Sequence, residues 1–216
     1  MIFYVCFVLT MGYLHYDEQL NEDWKPEFGT IFLWPAMDKF GKIAVMVNNC
    51  WGDLPKALLS NPHSISLLDP FMEHIFEGLD MYSQYSYKKH GETILDLYSG
   101  LKYREYKNRK EIEKQVFEES KRENVISDEG LPAQKGLFVY YAVEGCTPGE
   151  DFVVGYKGKT KMGDYFRFLI PTVYASIDDF IKELRPAIAV SDTVDFTKDR
   201  LFDNDKISEY FPRMYG

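Results

Sequence analysis

The sequence is poor in the residues that metal binding and nucleophilic catalysis use most. It has three cysteines among 216 residues, and Cys6, Cys50 and Cys146 lie far apart with no C-x-x-C pair. This pattern argues against a zinc site or a disulfide framework and favours a reducing, cytoplasmic compartment. No metal-ligand spacing joins the four histidines, which are His15, His63, His74 and His90. We therefore predict no metal site, no cofactor and no acyl-transfer nucleophile.

Positive charge is also in short supply. Lys and Arg number 25 against 34 Asp and Glu, which gives a formal net charge of -9. A field of that sign repels phosphate backbones and anionic membrane surfaces, so we expect neither a nucleic-acid nor a membrane partner. It favours a basic protein partner, because complementary charge accelerates encounter. The alternative is that the acidity serves only solubility.

The one stretch that could be a targeting segment is the apolar run at the N-terminus, over residues 1–14 (MIFYVCFVLTMGYL). It lacks a basic leading region and a small-residue cleavage site, and it is shorter than the ~20 residues that a membrane-spanning helix needs. We interpret it as a buried strand, with a targeting segment as the alternative.

Aromatic residues are abundant, with 16 Phe and 16 Tyr. Each buries roughly 150–250 Å² when it packs, so these side chains either enlarge the core or form a docking patch. The apolar fraction of 45% and the charged fraction of 27% are those of an ordinary globular protein. The length fits a single domain over residues 1–216, with residues 127–136 as the best candidate boundary.

Periodicity and turn residues predict an α+β fold. Asp69 followed by Pro70 marks a helix start, residues 102–124 carry the mixed charge of a solvated helix, and Ser176 with Asp179 forms a capping box before a third helix over residues 177–184. Strands are predicted over residues 30–34, 42–47, 93–98, 137–143, 152–156, 165–170 and 187–190. The strands over 137–143 and 152–156 are predicted to pair as a hairpin. This order favours an antiparallel or mixed sheet with helices packed mainly on one face.

The segment Trp51-Gly52-Asp53 is the most site-like local cluster. It follows a predicted strand and lies beside Cys50. Tryptophan is over-represented among the residues that dominate binding energy in protein interfaces, and a neighbouring glycine allows close approach. We therefore predict that Trp51 and Asp53 bind a partner. The alternative is that Trp51 only covers the core.

Carboxylate chemistry is harder to exclude, because folding can bring two acids together from any spacing. Asp192 and Asp195 follow the predicted strand over residues 187–190. Acids often act as ligands or as general acids and bases at such a position. A small hydrolase that uses this pair is the alternative function, and it predicts a raised pKa for at least one of them.

Residues 137–190 carry a resemblance to a known family. The segments LFVYYAVEG, DFVVGYKG, YFRFLIPTVY and SIDDFIKELRP resemble the C-terminal halves of α+β immunity proteins from bacterial polymorphic-toxin and type VI secretion systems. The resemblance implies a non-catalytic cytoplasmic protein that binds and neutralises a cognate toxin. A ligand-binding or structural module is a further alternative.

Overall fold

A mixed β-sheet forms the framework of the protein. The computed structural model describes residues 20–76, 91–120 and 131–216. The strands are β1 (Leu33–Met37), β2 (Ile43–Val47), β3 (Thr93–Leu95), β4 (Tyr98–Ser99), β5 (Phe138–Ala142), β6 (Val153–Val154), β7 (Tyr165–Pro171), β8 (Ala189–Val190), β9 (Leu201–Phe202) and β10 (Arg213–Met214). The α-helices are α1 (Lys56–Leu59), α2 (Pro62–Ser66), α3 (Leu68–Phe76), α4 (Arg109–Ser120), α5 (Leu131–Gln134) and α6 (Ile207–Tyr210).

Strands β2 and β5 lie at the centre of this sheet. The strand order is β10-β8-β1-β2-β5-β7-β3, with β9 paired to β7. β2 runs antiparallel to β1 and parallel to β5. Every residue of β2 and of β5 is buried, which explains why both sequences are continuous apolar runs rather than alternating ones. The predicted α+β class with a mixed sheet is confirmed.

Aromatic side chains from the C-terminal segment cover one face of the sheet. Trp34, Met46, Tyr140 and Arg167 are neighbours across four strands and therefore point to the same face. The Trp34 ring lies edge-on to Phe211 at 5.3 Å between centroids. The Tyr140 ring lies 5.5 Å from Phe196 and 5.0 Å from Phe202. At this face the aromatic excess of the sequence enlarges the core.

The predicted hairpin over residues 137–143 and 152–156 is wrong. β5 pairs with β2 and β7, whereas β6 pairs with β4 in a separate two-stranded sheet. The physical reason is the Asp151 carboxylate, which accepts hydrogen bonds from the Ser99 hydroxyl at 2.8 Å and from the Leu101 amide at 2.9 Å. These bonds tie the chain before β6 to the end of β4, away from β5.

The single strand predicted over residues 93–98 is also wrong, because it is divided at Asp96. β3 joins the edge of the large sheet beside β7, and β4 joins β6. The Asp96 carboxylate accepts hydrogen bonds from Arg167 at 2.7 Å and from Arg200 at 2.6 Å. Burial opposes ionisation of Asp96, but these two guanidinium groups outweigh it and lower its pKa. The ion pairs thus fix the point where the strand is interrupted.

The helix predictions are confirmed in part. Helix α3 begins at Leu68, beside the predicted Asp69, and its end, which the sequence predicts over residues 85–89, lies outside the described residues. The helix predicted over 102–124 begins only at Arg109, because the Asn108 side chain caps the Glu111 amide there. The residues that precede it form turns.

The capping box of Ser176 and Asp179 is present, but it opens a 3-10 helix of three residues, Ile177–Asp179. Phe180 takes an extended conformation and stacks on Phe71 with 4.9 Å between ring centroids. The predicted helix over residues 177–184 is therefore wrong beyond its first turn.

Two further predictions concern the N-terminal half. The apolar run over residues 1–14 lies outside the described residues. The strand predicted to stop at Pro35 instead continues through it to Met37. Strand β8 pairs only with Ala36 and Met37, so the missing N–H of Pro35 breaks no ladder hydrogen bond on that side.

Candidate functional site

The chain turns sharply where β2 leaves the sheet, and this turn carries Trp51 and Asp53. We name residues 48–53, together with residues 161–164 and 203–205 that pack on them, the Trp51 corner. Because β5 is parallel to β2 and β7 is antiparallel to β5, the end of β2, the end of β5 and the start of β7 lie side by side at one end of the strands. Residues far apart in sequence therefore meet there.

Asn48 holds the beginning of the corner. Its side chain is fully buried, accepts a hydrogen bond from the Phe32 amide at 2.7 Å and donates to the Thr30 carbonyl at 3.3 Å. Asn49 and Cys50 then adopt left-handed backbone conformations, with φ of 44° and 68°. Such conformations cost of order 1–3 kcal/mol and persist only where the surroundings impose them. The corner is a specifically constrained turn.

Gly52 allows the turn to close against the sheet. A Cβ atom at this position would lie 2.5 Å from the ring of Tyr165, which is itself fully buried. The Tyr165 hydroxyl donates to the Asp53 carbonyl at 3.0 Å and accepts a hydrogen bond from the Trp34 indole at 3.3 Å. The position of the Trp51 backbone therefore depends on close contact between Gly52 and Tyr165.

A second contact reaches Asp53 from the C-terminal segment. The Asn204 side chain accepts a hydrogen bond from the Asp53 amide at 2.8 Å and donates to the Asp53 carboxylate at 3.4 Å. The Asn204 amide in turn donates to the Asp164 carboxylate at 2.9 Å. Gly163 packs so closely that a Cβ there would lie 2.6 Å from the Trp51 carbonyl oxygen. Three chain segments are joined at this point.

The electrostatics of the corner are acidic. Burial raises the pKa of Asp53 and of Asp164 above their ordinary values. Lys161 forms ion pairs with Asp203, at 2.8 Å, and with Asp205. The hydrogen bonds that its ammonium donates to these two carboxylates raise the pKa of Lys161, so it stays charged. The corner concentrates carboxylates, with Lys161 as the lysine that bonds to two of them.

The structure places the predicted residues Trp51 and Asp53 in this corner, and both are half-buried. Neighbouring Cys50 is a free thiol whose pKa is raised mainly by burial, with the charge of Glu144 adding to it. A raised pKa suppresses the thiolate that a nucleophile needs. The corner thus combines a half-buried aromatic side chain, a thiol with a raised pKa and several carboxylates, two of which pair with Lys161.

The two residues of the alternative acidic pair make separate contacts. Asp192 is exposed and pairs with Arg213 at 2.8 Å. The Asp195 carboxylate accepts hydrogen bonds from the amide of Thr197 at 3.0 Å and from its hydroxyl at 2.6 Å. The Arg213 hydrogen bond lowers the pKa of Asp192. Burial opposes ionisation of Asp195, but its hydrogen bonds outweigh that effect and lower its pKa. The raised pKa that the hydrolase hypothesis predicts is found at neither residue.

Sequence reasoning missed the residues that complete the corner, which are Lys161, Asp164, Tyr165, Asp203, Asn204 and Asp205. The run DNDK over residues 203–206 is a visible polar cluster. Its contact with Asp53, more than 140 positions away, follows only from the path of β9 beside β7.

Comparisons with family models, with curated proteins and with solved structures find no match to this chain. Among residues 20–76, 91–120 and 131–216, no group of three or more His, Cys, Asp and Glu side chains is arranged to hold a metal ion. In the same ranges, no helix combines the length and the apolar character that crossing a bilayer requires.

Proposed function

We propose that the protein is a non-catalytic binding protein that neutralises a basic protein partner. More specifically, we propose that it is an immunity protein that inhibits a cognate bacterial toxin in the cytoplasm. The observation that carries the proposal is the Trp51 corner, a constrained turn that presents a half-buried tryptophan beside a cluster of carboxylates. The resemblance of residues 137–190 to immunity proteins points in the same direction.

The geometry supports a binding role in two ways. Binding affinity increases when the binding residues are already held in place, because less conformational freedom is lost on association. The Trp51 backbone is held by Gly52, Gly163 and the hydrogen bonds of Asn204. The carboxylates around it attract a basic surface over several ångströms, within the screening length of about 8 Å at physiological salt.

Each part of the corner has its own kinetic role in this proposal. Exposed carboxylates such as Asp205 act mainly on the rate of encounter, because long-range attraction steers diffusion. Trp51 acts on the lifetime of the complex, since a desolvated aromatic anchor must leave its pocket before dissociation. An interface of standard size, about 1,600 Å² in total, would extend well beyond the corner.

Co-expression tests the function directly. Each gene that neighbours the gene for this protein is expressed alone and together with it, and cell growth is measured. We expect one neighbour to be toxic alone and harmless in the pair. If no neighbour is toxic, or if the toxic one is not rescued, the immunity function is wrong.

Kinetics with that partner test the site. Trp51→Ala should increase the dissociation rate by an amount equivalent to at least about 2 kcal/mol, the size expected of a hot spot. Phe117→Ala removes an aromatic side chain of helix α4 that is 50% exposed, and serves as the control. Equal effects of the two variants would contradict a role for Trp51.

The charge contribution has its own matched pair of variants. The double change Asp203→Asn and Asp205→Asn should slow association, and higher salt should remove the difference. Glu105→Gln with Glu118→Gln is the control, because these exposed carboxylates are also ion-paired and lie near or on α4. If the control slows association equally, overall charge and not the corner steers binding.

A further inference from the structure

A second surface lies at the opposite end of strand β2 from the Trp51 corner, and it combines exposed aromatic rings with lysines. The turn between β1 and β2, residues 38–42, lies beside residues 173–176, because the backbones of Lys42 and Ser176 form an isolated antiparallel β-bridge. We name this surface the basic turn. Its rings are Phe40, 61% exposed, and Tyr174, 43% exposed.

The two lysines of the basic turn make cation–π contacts with these rings. The Lys42 ammonium lies 4.8 Å from the centroid of Phe40 and 5.5 Å from that of Tyr174. The Lys39 ammonium lies 5.2 Å from Phe40 and donates to the Thr193 carbonyl at 3.1 Å. Cation–π contact holds the ammonium groups at the surface and leaves further N–H donors of each open.

Neither lysine is ion-paired with a carboxylate of the residues that the structure describes. Within residues 20–76, 91–120 and 131–216, no ion pair joins Lys39 or Lys42 to a carboxylate. The nearest acid in sequence, Asp38, is buried, and its carboxylate accepts hydrogen bonds from the amides of Phe40, Lys42 and Phe196. Both ammonium groups lie against the exposed Phe40 ring, so this surface joins positive charge to exposed apolar area in a protein of net charge -9.

The turn also has a defined shape. Asp38 fixes it by accepting the Phe40 and Lys42 amides, each at 2.9 Å. Tyr174 is held from below because its ring stacks on the buried Phe138 ring with 5.4 Å between centroids. The aromatic rings and the ammonium groups are therefore positioned before any partner arrives.

From these observations we infer that the basic turn binds an acidic segment of another protein, in which carboxylates pair with Lys39 and Lys42 while apolar side chains cover Phe40 and Tyr174. A small anion would satisfy the lysines but leave both rings exposed to water. A nucleic acid requires a longer basic track than two lysines, and the net negative charge of the protein opposes it. This inference concerns a surface distinct from the Trp51 corner and does not depend on the proposed function.

A labelled peptide that contains four glutamates and one tryptophan is the probe, and fluorescence anisotropy with the full-length protein is the measurement. The same peptide with glutamine in place of glutamate, and a single-stranded oligonucleotide of similar length, are run beside it. We expect the acidic peptide to bind at least about tenfold more tightly than either, and to weaken as salt rises.

Variants locate the binding. Lys39→Gln with Lys42→Gln should weaken the peptide about tenfold, and Phe40→Ser should weaken it without changing net charge. Lys107→Gln with Lys110→Gln removes the same charge from exposed positions near the start of α4 and should leave binding unchanged. Circular dichroism confirms that each variant is folded.

Several outcomes overturn the inference. Equal loss in the α4 control would mean that the peptide responds to overall charge. Tighter binding of the oligonucleotide would assign the surface to nucleic acid. Self-association of the protein that is lost in the Lys39 and Lys42 variant, measured by sedimentation, would make a second copy of this chain the occupant. The absence of peptide binding would remove the proposed class of partner.

Discussion

Two different turns flank strand β2. The basic turn, with two lysines, precedes the strand, and the Trp51 corner, with a tryptophan and several carboxylates, follows it. The strand is five residues long, so roughly 17 Å separates the basic turn from the Trp51 corner. In the corner, Lys161 is ion-paired with two aspartates and the backbone is packed against Tyr165 and Asn204. In the basic turn the lysines have no carboxylate partner within the described ranges, and the rings are exposed.

This contrast separates two ways of building a surface. The corner depends on contacts among three distant segments, so its shape is sensitive to any change in packing. The backbone of residues 38–42 is shaped by local hydrogen bonds from the Phe40 and Lys42 amides to Asp38, and the side chains of Lys39, Phe40 and Tyr174 are exposed. We therefore expect mutations of the corner to affect stability and binding together, and mutations of exposed side chains in the basic turn to affect binding alone.

The largest expected effect comes from glycine substitutions at the two ends. Gly52→Ala places a Cβ 2.5 Å from the buried Tyr165 ring, which two hydrogen bonds hold in place, so we expect a loss of about 3 kcal/mol in unfolding free energy. Gly41→Ala in the basic turn meets no atom within 4 Å and suffers only from its φ of +80°, at a cost of about 1–2 kcal/mol. Urea denaturation measures both. An equal or smaller loss for Gly52→Ala would mean that the corner is not tightly packed.

The same contrast explains how much of the site could be predicted from the sequence. The Asp38-Lys39-Phe40-Gly41 segment between β1 and β2 has recognisable turn chemistry, because the bonds that Asp38 accepts from the Phe40 and Lys42 amides join residues two and four positions apart. Trp51 beside Gly52 and Asp53 was also visible as a cluster. The partners of that cluster, Tyr165 and Asn204, were not, since nothing local links them to residues 51–53.

Long-range polar contacts likewise decided where the fold departed from expectation. Apolar runs correctly located β2, β5 and β7, because burial leaves a direct mark on composition. Pairing was wrong where a single carboxylate redirects the chain, as Asp151 does by binding Ser99. A carboxylate in a loop is usually only solvated, so no local pattern distinguishes Asp151 or Asp96 from an ordinary surface acid.

Acidification should change the stability of the two ends of the sheet in opposite directions. His74 lies in α3 beside Lys135, which precedes β5 and so lies at the same end of the strands as the basic turn. Burial, with a smaller contribution from Lys135, lowers the pKa of His74 from 6.5 to about 4. The folded protein therefore binds this proton less readily than the unfolded chain, and stability is lost as the pH falls from 6.5 towards 4. Asp53 and Asp164 have raised pKa values, so their protonation stabilises the corner as the pH falls.

Urea denaturation at pH 7 and pH 5 separates these contributions. The His74 contribution alone predicts a loss of about 2 kcal/mol at pH 5. His74→Gln should abolish that part of the pH dependence, whereas His63→Gln, at an exposed position, should keep it. Identical pH dependence in the His74 variant and the wild type would show that the buried imidazole does not titrate between folded and unfolded states as its environment implies.

The smallest expected effect compares one lysine from each end. Lys161→Met removes an ammonium that pairs with Asp203 and Asp205, and Lys42→Met removes one that has no carboxylate partner within the described ranges. Both changes remove one positive charge, so they alter the overall field equally.

Because Lys161 is 45% exposed, its ion pairs contribute only up to about 1 kcal/mol, and we expect Lys161→Met to lose up to that amount of unfolding free energy at low salt. Lys42→Met should change stability by less than about 0.5 kcal/mol. Raising the salt should bring the two variants together, because screening weakens the Lys161 pairs and leaves the contact of Lys42 with Phe40 nearly unchanged. If the difference persists in high salt, Lys161 stabilises the corner through the packing of its aliphatic chain, and the corner then depends on shape more than on charge.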